Sequence, residues 1–324
     1  MLNITPYIKG MATFIPGLYP HLLNLLRPGR TGGTVSARYC YSVWLRHLVM
    51  AGGSGLSTQP NVVAELGPGD SLGIGIASLL TGAEVYYAFD VVRYASNWCN
   101  LQILGELIEL FRRREPIPDE REFPEVRPQL ASYEFPRAIL TDERLRQALR
   151  EDRLQAIHQA VLSCGHKDVS DEKRVHISYC VPWSASNLIR PKTVDVVFSQ
   201  AVMEHVDNIE STHGALRQWI KPEGYVSHTI DFRSHGTAPT WNGHWGYSDL
   251  EWTIVRGRRP YLLNRQPHSA HLRLLQKSGF KVVVDLKERD TTGIGRDKLA
   301  QQFGSLSDDD LTTPTAFVQA VPVD

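Results

Sequence analysis

Two clusters in this 324-residue chain have the residue types and spacing to do chemistry. The first is Glu65-Leu66-Gly67-Pro68-Gly69-Asp70-Ser71, with Asp90 following 21 residues after Gly69. Glycines lack a Cβ, so a turn built from them can approach a ligand closely. A carboxylate at the end of the next strand can accept both hydroxyls of a ribose. The second cluster is His228-Thr-Ile-Asp231-Phe-Arg-Ser-His235. An imidazole titrates near neutral pH and a carboxylate can orient it, so this run offers His235 or His228 as general base and Asp231 as orienter. Seven of the twelve histidines fall between His205 and His271. A metal set of His228, Asp231 and His235 is the less favoured reading, so no metal is expected. His205 is read as structural.

Both clusters need strands to deliver them. Asn61–Leu66 reads as a buried strand, Ile74–Leu80 as the helix after the glycine turn, and Glu84–Phe89 as a second strand ending at Asp90. Strand, glycine turn, helix, strand and acid open a parallel α/β sheet. Further strands are expected at 175–180, 194–199, 225–230, 280–286 and 316–321. Helices are expected at 34–50, through Leu110 into Arg112-Arg113-Arg114, from Thr141 to about Ser163, at 208–220 closed by Lys221-Pro-Glu-Gly224, and at 271–278. The stretch spaced by Pro116, Pro118, Pro124, Pro128 and Pro136 cannot be regular helix or central strand. The organisation read here is a helical N-terminal extension, 1–60, and one α/β domain, 61–324. Insertions at 95–172 (helical, proline-rich) and 232–270 (a substrate-side cap) interrupt that domain. Extension and insertions are expected to form a lid over the strand ends.

Composition removes several function classes. Lys and Arg total 35 and Asp and Glu total 35, so no net basic field exists to grip nucleic acid. A hydrophobic content of 42% excludes global disorder. The four cysteines form no CxxC pair, which argues against a zinc ribbon or disulfide scaffold and suits a cytoplasmic setting. No run reaches the ~20 apolar residues of a transmembrane helix. Residues 1–60 carry five basic and no acidic residues, so a membrane-surface adaptor is one alternative reading.

The choice of cofactor turns on two details. A dinucleotide fingerprint needs GxGxxG, and its third glycine would fall on Leu72. Glu65, two positions before the first glycine, would repel a pyrophosphate but suits a cationic ligand. S-adenosylmethionine carries an ammonium and a sulfonium and no phosphate.

At these residues the chain resembles the class I S-adenosylmethionine-dependent methyltransferases. Glu65–Ser71 is similar to their first motif, Asp90 to their ribose-binding acid, Val194–Val206 to their fourth-strand segment and Trp219–Tyr225 to the turn into strand five. The resemblance implies a Rossmann-like, seven-stranded, mostly parallel sheet with the last strand antiparallel. It also implies cofactor contacts at Glu65, Gly67, Gly69, Ser71 and Asp90. Where many members carry an adenine-binding acid, this chain reads Ser178-Tyr-Cys-Val-Pro-Trp183, leaving backbone at Cys180 and Val181 and the ring of Trp183. Gln200, just past strand four, is placed to touch cofactor or acceptor. Ser199-Gln-Ala-Val stands where enzymes that methylate exocyclic amines of DNA bases or glutamine amides carry an Asn/Asp-Pro-Pro-Tyr/Phe element, so such acceptors are not expected. The cap residues Trp241, His244, Trp245 and Arg265 suit a polar, anionic small acceptor. His228/Asp231/His235 and Tyr261–Arg265 also resemble a subgroup associated with cell-surface polysaccharide or glycolipid assembly, so a sugar hydroxyl is the expected acceptor. A cofactor-binding but inactive partner subunit is the other alternative.

Overall fold

Val62–Leu66 forms β1 and alternates its side chains between two layers. Val63 enters one hydrophobic core, whereas Ala64 and Leu66 enter the other. The same alternation organises β2 (Val85–Phe89), β3 (His176–Cys180), β4 (Val194–Gln200), β5 (Ile220–Asp231), β6 (Phe280–Lys287) and β7 (Thr315–Pro322). They make one sheet in the order β3-β2-β1-β4-β5-β7-β6. Neighbours from β3 to β5 pair in parallel, and β7 runs antiparallel between β5 and β6. This is the Rossmann-like arrangement the resemblance implied. The computed structural model describes residues 4–15, 33–164, 175–183 and 188–323.

One face is covered by α2 (Ala37–Gly53), α3 (Gly73–Leu80), α4 (Asn97–Arg113), α5 (Asp142–Ala148) and α6 (Glu151–Ser163). The other carries α7 (Ile209–Trp219) and α9 (His268–Lys277). Side-chain caps start several of these helices: Ser36, Ser96, Thr141 and Asn208 each accept a backbone N–H from the first turn. The helix expected from Thr141 to Ser163 is broken. Arg150 turns extended, and Glu151 and Asp152 begin a new helix where its N-terminal dipole favours them. Lys221-Pro-Glu-Gly224 belongs to β5, with a register shift opposite Asp195, whose carboxylate takes Lys221 Nζ at 2.6 Å.

The expected lid divides into unlike parts. Helix α2 is a layer of the core, not a cover: Trp44 and His47 pack on Phe198 of β4, and eleven of its residues are buried. Its Arg46 is fully buried and donates to the carbonyls of Pro118, Val126 and Pro128. Ser42 Oγ adds a second donor to Pro118 O and Arg127 Nη1 one to Val126 O, so side chains replace a ladder along the proline-spaced stretch. That stretch reaches the C-terminal part of β5, where Arg127 O accepts from Thr229 Oγ1 at 3.2 Å.

A true cap is built elsewhere. Helix α1 (Thr5–Ala12) packs on α8 (Asp249–Arg256) of the second insertion, with Tyr7 edge-on to Tyr247. Neither helix was expected from sequence. The remaining segment of the extension, 16–32, lies outside the described residues.

Candidate active site

A cavity of about 500 Å³ opens at the C-terminal ends of β1, β2 and β4, where parallel sheets bind ligands. Gly67, Asp90, Val91, Trp183, His205 and Tyr261 all contribute to its wall. Gly67 has φ +65° and lies against the turn after β4; a Cβ there would stand 2.6 Å from Val202 Cγ2. Only glycine satisfies both the backbone and the space. Asp90 is 8% exposed. Burial raises its pKa, while the backbone N–H groups of Val91, Val92 and Gly69 pull it down. Its own carbonyl accepts Trp183 N–H at 2.8 Å, which sets that indole against Phe89 on the cavity wall.

Other residues of the glycine turn face away. Glu65 points into the α3 layer, takes the Tyr86 hydroxyl, and is pushed up to about 8 by burial. Gly75 allows this, since a Cβ would collide with the Tyr86 ring. Ser71 is buried, and its hydroxyl and N–H both engage Thr34. Gly69 and Ser71 shape the turn without lining the cavity. Nor do Cys180 and Val181 line it; Cys180 O accepts Asp90 N–H at 3.2 Å. Gln200 turns toward α2 and meets His47 Nε2 at 3.3 Å and Arg127 O at 3.4 Å.

The histidine run separates at the end of β5. His228 is fully buried inside the sheet, with Nδ1 2.8 Å from Ser199 Oγ. Burial first, then neighbouring histidines, hold it well below the usual imidazole range. It does not line the cavity. Beyond the strand, His235 Nε2 lies 3.5 Å from Asp231 Oδ2. The His235 ring stands edge-on to His205 at 5.1 Å, so His205 connects the pair to the cavity.

Sequence reasoning did not single out the groups that hold His205 there. The segment Tyr261–Arg265 wraps the turn after β4. Asn264 Nδ2 donates to Met203 O at 2.7 Å and Val206 O at 3.0 Å, and its N–H donates to Glu204 O. His205 Nδ1 meets Leu262 O at 2.6 Å. Arg256 of α8 adds an ion pair to Asp207 at 2.7 Å on the cavity rim. Nothing in the spacing of 204 and 264 announces this contact.

The expected acceptor-binding residues form the interior of the cap. Trp245 is fully buried and donates to Arg265 O, His244 is 2% exposed, and Trp241 packs edge-on against Trp245. Arg265 lies between the rings of Trp252 and Phe303 and donates to Tyr247 O at 3.0 Å. Its guanidinium is spent on the cap itself.

No family model matches the chain, and no curated relative matches it. Solved structures do. An S-adenosylmethionine-dependent methyltransferase from Mesorhizobium loti shares 11% identity over 81% of this chain and 91% of its own, with TM-score 0.39. Phosphoethanolamine N-methyltransferase 2 of Haemonchus contortus, in complex with S-adenosyl-L-methionine, shares 15% over 94% of this chain and 60% of its own, with TM-score 0.42. The CurJ carbon methyltransferase shares 11% over 98% and 61%, with TM-score 0.39.

Proposed function

We propose that the protein is an S-adenosylmethionine-dependent methyltransferase acting on a hydroxyl of a polar small molecule or sugar. One observation carries this reading: Gly67, Asp90, Trp183 and His205 meet on one cavity, and the His235–Asp231 pair stands behind His205. In this reading Asp90 takes the ribose hydroxyls, Val91 and Trp183 flank the adenine, and the Gly67 turn leaves room for the methionine part. Glu65 acts through the core, keeping β1, β2 and α3 in register beneath the turn.

The chemistry is an in-line displacement. The acceptor oxygen forms a C–O bond as the methyl carbon leaves sulfur, which keeps the electron pair and becomes a neutral thioether. His235 takes the hydroxyl proton, and Asp231 stabilises the imidazolium. Holding the reacting atoms about 3–3.5 Å apart supplies most of the acceleration, and the base adds about 10²–10⁴-fold. The sugar acceptor rests on the subgroup resemblance of Tyr261–Arg265. A cytoplasmic setting agrees with four free cysteines. No helix among the described residues is long and apolar enough to cross a membrane.

Calorimetry with S-adenosylmethionine tests the cofactor. Asp90→Ala should abolish binding, and near-normal affinity in that variant would sink the assignment. A screen of sugar nucleotides and glycolipid precursors with isotopically labelled donor tests the acceptor. Tight binding without turnover on any acceptor would favour the inactive partner subunit instead.

A further inference from the structure

We infer that Glu204, His205 and His235 form a binding site for a divalent first-row transition-metal ion beside the cavity. One ligand atom from each of the three lies within 4.8 Å of the others, the one such group among the described residues. The donor set, two imidazoles and a carboxylate, suits this class of ion and leaves coordination positions open.

A second, independent observation points to a cation. Glu204 is 2% exposed, and neither carboxylate oxygen has a hydrogen-bond partner. The backbone N–H groups of Glu204 and Asp231 lie near it but outside hydrogen-bonding geometry. The nearest cationic group is His205 Nε2, at 4.0 Å, and the nearby Asp231 carboxylate adds like charge. An ionised carboxylate buried without partner or counter-charge is costly, and a cation at this point would remove that cost.

The surroundings are arranged as metal ligands require. His205 Nδ1 meets the Leu262 carbonyl at 2.6 Å. That contact makes Nδ1 the donor and leaves the Nε2 lone pair facing Glu204, the usual way a ligating histidine is fixed. Asn264 pins the backbone on both sides of the Glu204–His205 pair. His235 sits at φ +47°, a backbone region sparsely used by residues other than glycine, which turns its ring back toward His205. Asp231 adds a second carboxylate 3.5 Å from His235 Nε2. Metal–ligand bonds of about 2.0–2.2 Å would draw the three side chains closer together than they stand here.

Binding of the ion does not depend on the methyltransferase reading; its role in the reaction rests on that reading. With the ion in place, the acceptor hydroxyl occupies an open coordination position and loses its proton more readily. His235 would then hold the ion instead of acting as the base, the proton would pass to Asp231, and the oxygen lone pair would attack the methyl carbon with the thioether leaving as above.

The test uses the full chain stripped with a chelator and titrated with Co²⁺, followed by visible absorption and by displacement with Zn²⁺. One equivalent should bind saturably. Glu204→Gln and His235→Ala should each weaken binding at least tenfold, whereas His158→Ala, on the exposed side of α6, should leave it unchanged. His235 is partly exposed, so its variant reads the site even where Glu204→Gln disturbs folding. Absence of saturable uptake, or uptake indifferent to His235→Ala, overturns the inference. Calorimetry with S-adenosylmethionine on the same sample separates the two readings: metal uptake without cofactor binding sinks the enzyme assignment alone, and cofactor binding without metal uptake sinks the metal site alone.

Discussion

Two groups of histidines lie on either side of the end of β5, and they have opposite fates. His213, His228 and His271 are enclosed between β5, α7 and α9, none more than 1% exposed. Five of their six ring nitrogens have no hydrogen-bond partner. Burial pushes His213 down to about 4 and His271 to about 3. His205 and His235, by contrast, keep about 30% of their side chains exposed and have carboxylates at 4.0 and 3.5 Å. His228 and His235 stand seven positions apart. What divides His228 from His235 is the strand end: His228 is fixed inside the sheet, and His235 lies beyond its last residue, Asp231, with its ring against His205. Residue type gives no warning of this; position relative to the last ladder bond does.

The largest effect should come from exchanging the two groups' roles by mutation. His235→Ala should lower methyl transfer by about 10²–10⁴-fold with S-adenosylmethionine affinity little changed. His228→Ala should cost stability yet leave turnover per folded molecule within a few-fold. Steady-state kinetics paired with thermal unfolding of each variant checks this. The comparison breaks if His228→Ala abolishes turnover in a protein that melts like the wild type.

Stability against acid should come next. An unfolded histidine titrates near 6.5, whereas His47 and His213 titrate near 4 and His244 and His271 near 3 in the fold, all through burial. Their folded pKa values are depressed, so the unfolded chain binds more protons between about 6.5 and 4. Stability present above 6.5 is therefore lost as pH falls through that window. Each such group contributes a slope of up to about 1.4 kcal/mol per pH unit. Glu65 acts in the reverse sense: raised to about 8 by burial, it withdraws stability as pH rises from about 4.5 toward 8. Urea unfolding from pH 7 to 4.5 should show a steep fall in midpoint, and a flat profile would mean the enclosed histidines already meet hidden partners.

Much of this frame was legible in the chain. Each strand was placed within a few residues, because buried strands announce themselves by apolar runs between glycines and prolines. β5, lengthened through Lys221-Pro-Glu-Gly224, began several residues earlier than expected. Gly67 and Asp90 were legible because a turn and a strand-end acid are local. Layers were not. Glu65 looked like a ligand contact, yet in β1 it faces the helices and takes the Tyr86 hydroxyl, a pairing between strands that one-dimensional spacing does not encode. Arg265 and Trp245 looked like a binding surface because aromatic and guanidinium groups serve both interfaces and interiors; here they fill a cap. Glu204 escaped notice for the same reason in reverse. A carboxylate beside a histidine is unremarkable until the fold buries it.

The smallest effect sharpens the contrast most. His213 on α7 buries both ring nitrogens without partners and packs its ring 6.0 Å from that of His228. A phenylalanine there keeps an aromatic ring and removes two desolvated polar atoms. An unpaired buried polar group is costly to retain, and replacing it with an apolar one is close to neutral or stabilising. Slight overpacking opposes this gain. His213→Phe should therefore change unfolding free energy by no more than about 1 kcal/mol at pH 7, and the variant should lose part of the acid sensitivity. Denaturant titration at pH 7 and pH 5 measures both. A loss above about 2 kcal/mol at pH 7 would mean that His213 is hydrogen-bonded to a buried water. The enclosed histidines would then be a polar network in their own right, and the strand end would no longer be what distinguishes the two groups.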